Sequence, residues 1–402
     1  MKRLALHVTR HAERALREGH PWLFDQSITK QNQDGQPGDL AVIFDHKNRF
    51  LAIGLYDPVS PIRVKVLHHT TSTQINRAWF IEKIAQAVLR RAPLMESETN
   101  GYRLIHGEND GLPGLVVDRY ADTLVIKLYS AAWIPHVDDV IVGLQAAQPH
   151  HRLVLRLNRQ MQQAPELNNG LVDGQILTGD PLDEPIVIQE NGLRFYADVV
   201  HGHKTGFFFD QRDNRAFAGK LARGRRVLDV YAYAGAFSLY AASGGAQQVL
   251  SLDISAPALV DAQKNFALNQ EHPAVAAAQH DILVADAFEG LRQLHTEGRS
   301  FNMVIVDPPS FAKSAEEVDR ALVAYRQLTE LALNVLEPQG VFVMASCSSR
   351  VSAEVFFHTV HGAASQAGRL LMEQRRTAHA LDHPIGFPEG AYLKCLFATT
   401  ID

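Results

Sequence analysis

The sequence predicts an α/β protein: a doubly wound, mostly parallel sheet in the carboxy-terminal half, preceded by a small β-barrel and a middle α+β domain. Three observations predict it. From Arg226 onward, apolar runs of strand length alternate with amphipathic helical stretches, the pattern of a parallel sheet wound on both faces. Four of those runs end in or beside an aspartate. Near the amino terminus two apolar runs, 39–44 and 50–56, are split by Asp45-His-Lys-Asn-Arg49. That polar stretch with Asn48 reads as a hairpin turn.

Three blocks follow in order. The first, residues 1–70, is strand-like and punctuated by Gly35, Pro37, Gly38, Pro58 and Pro61, which suits a small barrel. The second, 72–182, opens with apolar residues at helical spacing from Trp79 to Leu94. Leu112 to Tyr129 then reads as paired strands, and Pro165 to Gly179 as loop. The third, 184–402, opens on a hairpin signal around Asn191-Gly192. Its strand candidates are Val227–Val230, Val249–Asp253, Ile282–Ala285, Met303–Asp307 and Val341–Ala345. Between them, Ala256–Asn269 places Leu259, Ala262 and Phe266 on one helix face. Glu317–Leu336 is introduced by the capping box Ser314-Ala-Glu-Glu317 and stopped by Pro338-Gln-Gly340. In such a sheet, ligands bind at the carboxyl ends of the strands, near the point where strand order reverses.

Composition narrows the function. Of 402 residues, 46% are hydrophobic and 21% charged, an ordinary globular balance. The two cysteines, Cys347 and Cys395, form no CxxC pair. This excludes a disulfide framework and a cysteine-rich zinc site, and no metal is expected. No apolar run approaches membrane-spanning length and no apolar signal core follows Met1, so a cytoplasmic protein is expected. The net charge of −5 argues against bulk nucleic-acid binding. Residues 1–70, however, carry ten Lys and Arg against seven Asp and Glu, which permits a local RNA contact.

The first strand candidate of the sheet ends in Asp229-Val-Tyr-Ala-Tyr-Ala-Gly235. The GxGxxG fingerprint and the Walker loop are both absent, so a pyrophosphate ligand is not expected. An acid in this turn suits a cationic ligand instead. Asp253, ending the next strand, can accept from two ribose hydroxyls. Asp286 is placed to meet an adenine amino group, and Asp307 opens Asp307-Pro-Pro-Ser310. Each acid alone is equally well read as a helix N-cap. Four in register, with the turn of Tyr231 and Gly235 at the first, favour a cofactor site.

Val227-Leu-Asp-Val-Tyr-Ala-Tyr-Ala-Gly-Ala-Phe-Ser238, Asp307-Pro-Pro-Ser-Phe311 and Ala345-Ser-Cys-Ser348 resemble the Rossmann-like class I methyltransferases that form 5-methylcytosine in bacterial large-subunit (23S) ribosomal RNA. Lys204-Thr-Gly-Phe-Phe-Phe-Asp-Gln-Arg212 resembles that family's lead-in to the catalytic domain. His20-Pro-Trp-Leu-Phe24 resembles its RNA-binding PUA domain, and Arg103-Leu-Ile-His-Gly-Glu-Asn-Asp-Gly-Leu-Pro-Gly114 its middle domain. The likeness covers essentially the whole chain. It implies S-adenosyl-L-methionine as cofactor, held by Asp229, Tyr231, Gly235, Asp253, Asp286 and Asp307, and RNA, free or in a ribosomal precursor, as partner. The oligomeric state is not fixed by the sequence, and a homodimer is compatible with it.

Cys347 follows a buried strand, where a thiolate could add to cytosine carbon 6 and make carbon 5 nucleophilic. The plain alternative is a structural cysteine, the role assigned to Cys395. Asp307 is expected to hydrogen-bond the base during addition. Phe311 either stacks on a flipped base or packs in the core. Arg212 either contacts substrate or forms a surface ion pair, and Asp210 and Gln211 beside it are candidates for cofactor or RNA. Ser310 lines the substrate site, and departs from two-cysteine RNA cytosine methyltransferases, which carry a second cysteine there. Lys313 or a water is left to take the carbon 5 proton. Asp382-His-Pro384 reads as substrate rim or as a turn; His20 is expected to touch RNA, and Trp22 to be barrel core. A same-fold enzyme acting on an exocyclic amine of guanine or adenine is the competing reading, and would need no thiol.

Overall fold

The computed structural model describes residues 2–401, which form two compact units. The unit that carries most of the third block is built on a seven-stranded sheet. Its strands are β1 (Arg226–Val230), β2 (Gln248–Asp253), β3 (Gln279–Val284), β4 (Phe301–Val306), β5 (Leu336–Ser346), β6 (Leu371–Thr377) and β7 (Lys394–Thr400). They lie in the order β3-β2-β1-β4-β5-β7-β6. The first five are parallel, and β7 runs antiparallel to both β5 and β6. The order reverses between β1 and β4, so a crevice opens at their carboxyl ends.

Helices α1 (Arg212–Leu221), α2 (Ala236–Ser243), α3 (Ala256–Leu268), α4 (Ala287–Thr296), α5 (Val318–Asn334) and α6 (Ala353–Gln366) cover this sheet. Side chains alternate across a strand. Leu228, Val230, Leu250, Leu252, Val304 and Val306 therefore share one face, where they pack with residues of α4, α5 and α6. The intervening Asp229 and Ser251 face the other side, toward Ser238 of α2. The expected capping box is present: Ser314 and Glu317 cap each other ahead of α5. The expected hairpin also forms, with Asn191 at φ 49° and Gly192 at φ 83°, the left-handed pair of a tight two-residue turn.

The other unit comprises residues 2–189, 197–209 and 381–390 among those described. Its first block is a six-stranded sheet that includes the expected hairpin, Leu40–Phe44 with Phe50–Tyr56. It also holds a strand and helix that periodicity did not reveal, Arg3–Val8 and Arg10–Arg17. The middle block is a five-stranded sheet with helices. The helix expected over 79–94 is broken into Arg77–Leu89 and Ala92–Met95, with Pro93 in the first turn of the second piece, where its missing N–H costs nothing. Part of the expected loop 165–179 pairs as the edge strand Ile176–Thr178. The two blocks share one core: Leu40, Ile53, Leu55 and Leu67 pack with Trp79, Phe80, Leu104 and Trp133. That is why they cluster as a single unit.

Candidate active site

The sheet order brings the four aspartates together. Asp286, Asp253, Asp229 and Asp307 lie at or just past the carboxyl ends of β3, β2, β1 and β4, which are consecutive neighbours. Adjacent strands lie about 4.8 Å apart, so the acids form a row along the carboxyl edge of the sheet. They differ in depth. Asp229 is the penultimate residue of β1 and is buried, whereas Asp253, Asp286 and Asp307 are half-buried.

The turn after β1 is strained. Tyr231, Tyr233 and Gly235 have φ of 65°, 49° and 72°, and two of these are non-glycine residues in the left-handed region. Such strain collects where backbone must meet a ligand. Gly235 is irreplaceable on packing grounds as well, since a Cβ there would stand 2.7 Å from Ala262 Cβ. The turn is held by Asp253, whose Oδ2 accepts from Tyr233 N at 2.8 Å and whose Oδ1 accepts from Ser255 N at 2.8 Å. Each of those oxygens keeps a further lone pair for a ligand hydroxyl. Asp286 is the N-cap of α4 through Oδ1, accepting from Phe288 N at 2.9 Å. Capping and ligand binding are thus compatible, because capping uses only one of its oxygens.

Asp229 Oδ2 accepts from Ser238 N at 3.0 Å and from Ser238 Oγ at 2.7 Å. Its Oδ1 is buried with no hydrogen-bond partner. Burial raises this carboxyl to about 7, and the charges of Asp307 and Asp253 push the same way against the Ser238 bonds. Tyr231 is raised by burial and by the charges of Asp286 and Asp253. An orphaned buried acceptor amid gathered carboxylates fits a cationic ligand, which would relieve both the missing bond and the repulsion. S-adenosylmethionine, with its ammonium and sulfonium, meets that requirement.

Cys347 follows β5 directly and is half-buried. Its Sγ lies 3.8 Å from Pro308 O, so the thiol is beside the loop that Asp307 opens. Asp307 Oδ1 accepts from Gln211 Nε2 at 2.8 Å, and Gln211 Oε1 accepts from Asn214 Nδ2 at 2.6 Å. Two serines converge on one carbonyl: Ser310 Oγ donates to Ala312 O within the loop after β4, at 3.1 Å, and Ser348 Oγ donates to it from the loop after β5, at 3.0 Å. Phe311 is half-buried with its ring 5.3 Å from that of Tyr325. The Tyr325 hydroxyl lies 2.8 Å from Ser346 Oγ, and burial pushes it up to about 12.

Some expected residues lie elsewhere. Arg212 is 2% exposed, with Nε 3.3 Å from Asp213 Oδ1. Its ion pair with the exposed Asp213 is made from a buried guanidinium, which has almost no surface to offer an RNA. Its neighbour Gln211 is the one that reaches the site. Lys313 is exposed. Cys395 is fully buried in β7 and its thiol is raised by burial, as a core cysteine should be. Asp382 and His383 are buried in a turn of the other unit, where Asp382 Oδ2 accepts from Arg103 N at 2.8 Å. Trp22 is half-buried, not core: its Nε1 donates to Glu108 Oε1 at 3.0 Å and its ring packs 5.0 Å from Phe387. Sequence reasoning missed Lys394, Tyr325 and Asn214. Only Lys394 left a signal, as the one charge in the apolar strand that carries Cys395.

Residues 148–389 match the family model of S-adenosylmethionine-dependent methyltransferases, and residues 6–69 that of a PUA-like domain. The chain is 47% identical over 401 residues to a ribosomal RNA large subunit methyltransferase of Deinococcus radiodurans, covering 98% of this chain and 97% of the relative. It is 35% identical over 402 residues to ribosomal RNA large subunit methyltransferase I of Pseudoalteromonas atlantica, covering 99% of each. Among solved structures, a methyltransferase complexed with SAH superposes with a TM-score of 0.83 at 21% identity, covering 99% of this chain and 100% of that one. That likeness shows the fold. Among the described residues no helix is long and apolar enough to cross a membrane, and no cluster of His, Cys, Asp and Glu could hold a metal.

Proposed function

We propose that this chain, which belongs to the family of S-adenosylmethionine-dependent ribosomal RNA large subunit methyltransferases with a PUA-like domain, forms 5-methylcytosine in large-subunit (23S) ribosomal RNA through a covalent bond from Cys347 to cytosine carbon 6. The observation that carries this reading is the position of Cys347 Sγ, 3.8 Å from Pro308 O, in the crevice where the row of aspartates ends. An enzyme acting on an exocyclic amine has no use for a thiol there.

Cytosine carbon 5 is a poor nucleophile. Addition of the Cys347 thiolate to carbon 6 forms the sulfur–carbon bond and moves electron density onto carbon 5 as N3 takes a proton. Asp307, oriented by Gln211, is the group placed to hydrogen-bond that edge of the base. S-adenosylmethionine, when bound, supplies an electrophilic methyl group. Once carbon 5 is methylated, N3 gives its proton back and carbon 5 loses its own. The electron pair left on carbon 5 re-forms the ring double bond, and the bond to sulfur breaks. Ser310 Oγ is engaged with Ala312 O and cannot act as a thiolate. In this reading a water accepts the carbon 5 proton.

Asp253 takes the ribose hydroxyls, Asp286 the adenine, and Asp229 with the Tyr231–Gly235 turn the cationic methionine end. Phe311 and Ser310 line the base pocket, whereas Arg212 is buried. Residues 1–70 act as the RNA-binding block, 72–182 as a middle domain fused to it through a shared core, and 184–402 as the catalytic block. Ribosomal RNA as substrate puts the enzyme in the cytoplasm.

The test is trapping on large-subunit RNA that carries 5-fluorocytidine at the target. Fluorine cannot leave carbon 5 as a proton does, so the protein should remain bound to RNA through a denaturing gel. Cys347→Ala should abolish both the adduct and methyl transfer. Full methylation by Cys347→Ala, with the methyl group found on an exocyclic nitrogen, would replace this reading with the amine one.

A further inference from the structure

Lys394 opens β7 opposite Ser346. It is 3% exposed, an uncommon setting for a lysine, which is seldom buried without an anionic partner. Its Nζ donates to Ser348 O and to Val351 O, the latter at 2.6 Å. Both carbonyls belong to the loop that begins at Cys347. Among the described residues no carboxylate pairs with this ammonium. Two neutral carbonyls satisfy two of its three protons and leave its charge uncompensated. Such an arrangement is costly unless an anion forms nearby during function. Cys347 is the group whose charge acts on Lys394. Burial lowers the lysine to about 8, and Cys347 opposes that shift.

We infer that Lys394 is a positioning residue for Cys347: it clamps the loop after the thiol and supplies the positive charge that stabilises the Cys347 thiolate. This rests on the reading of Cys347 as nucleophile. The geometry gives it two separable roles. The clamp needs a donor at Nζ, and the electrostatic role needs a full charge. Other charged or titratable groups lie on the elements around the thiol. Asp307, on the loop after β4, opposes the thiolate. Tyr325, on α5, stays neutral at working pH because its hydroxyl is pushed up to about 12. Cys395, on β7, is raised by burial and also stays neutral. Arg350, in the same loop, is exposed and screened by solvent. Among these described residues, Lys394 is thus the buried cation.

The experiment is the pH profile of Cys347 alkylation by iodoacetamide in the full chain without RNA, read by mass spectrometry of the Cys347 peptide. A free thiol titrates near 8.5, and the wild type should show its midpoint about one unit or more below that. Lys394→Met should move the midpoint up and slow alkylation at about pH 7 by roughly tenfold or more, since one unit changes the thiolate fraction about tenfold. Lys394→Arg, which keeps the charge, should stay near wild type. A folded Lys394→Met protein with an unchanged profile would overturn the inference. So would a wild-type midpoint at the ordinary thiol value, a measurement that needs no variant and stands even if Lys394→Met does not fold. Neither result depends on methyl transfer, so the nucleophile assignment fails separately, by full activity of Cys347→Ala.

Discussion

Gln211 Nε2 donates to Asp307 Oδ1 at 2.8 Å, and this one bond connects the segment before α1 to the acid beside Cys347. Gln211 is itself fixed by Asn214, whose Oδ1 accepts from Thr377 on β6. Asp307 therefore has a set orientation before any substrate arrives. Gln211→Ala should leave the fold intact and lower kcat by roughly tenfold to a hundredfold, the loss of about 1.4–2.7 kcal/mol of orientation. Gln211→Glu should be worse at neutral pH, because it sets two carboxylates at hydrogen-bond distance. Steady-state methylation kinetics check both. Equal kcat for wild type and Gln211→Ala would remove the orienting role.

Asp229 makes the site pH-sensitive. Its folded value of about 7 lies above the unfolded value of an aspartate, about 3.9. The folded state therefore holds a proton that the unfolded state has lost between those values, and its stability falls as pH rises through that window. Asp229→Asn removes the charge but keeps an acceptor for Ser238. Its thermal midpoint should match wild type near about pH 4 and exceed it above about pH 7.5, with a gain of roughly 4 kcal/mol. Cofactor binding should move the opposite way: a cation favours ionised Asp229, so wild-type affinity tightens as pH rises past about 7, and the Asn variant loses that dependence. Calorimetric titration at two pH values decides it.

Asp253 serves protein and ligand together. Asp253→Ala deprives Tyr233 N and Ser255 N of their acceptor and loosens a turn already held at positive φ. Affinity for S-adenosylmethionine should fall about tenfold or more, from loss of roughly 1–3 kcal/mol of hydrogen bonding. Asp253→Asn, which can still accept from one N–H, should fall between. Unchanged affinity in the Ala variant would take Asp253 out of the cofactor site.

How far the site was legible depended on the range of the interaction. Caps, tight turns and strand ends are set by residues a few positions apart, so the Ser314–Glu317 box, the Asn191-Gly192 turn and the row of aspartates could be read from the sequence. The partners of those groups come from distant segments. Lys394 sits 43 residues from Val351, whose carbonyl it binds, and Gln211 sits 96 residues from Asp307. No periodicity carries such pairings. The burial of Arg212 was misjudged for a related reason: its charge suggested a surface, but α1 places it in the interior beside Asp213. In the first block, Arg3–Val8 was missed because it pairs in parallel with Leu40–Phe44, a partner far along the chain.

The shared core of the first two blocks changes how RNA binding has to be tested. Removing residues 1–70 would strip Leu40, Ile53, Leu55 and Leu67 from a core they share with the middle block, so a truncated protein would fail by unfolding. Charge substitution avoids this. Helix Arg10–Arg17 presents Arg10, Arg14 and Arg17 around one open cavity with Glu13, Glu18 and His46, and Arg14 is largely exposed, its side chain paired with Glu18. Arg17 is tied to Glu13 and Asp45 and is best left alone. Arg10→Gln with Arg14→Gln should cost little stability, because exposed ion pairs contribute about 0–1 kcal/mol. If this face meets phosphate, RNA affinity should fall severalfold and the slope of log affinity against log salt should become shallower by roughly one for each phosphate no longer neutralised. Affinity for S-adenosylmethionine should not change. The same salt slope in the double variant and the wild type would show that the RNA lies on another face of the block.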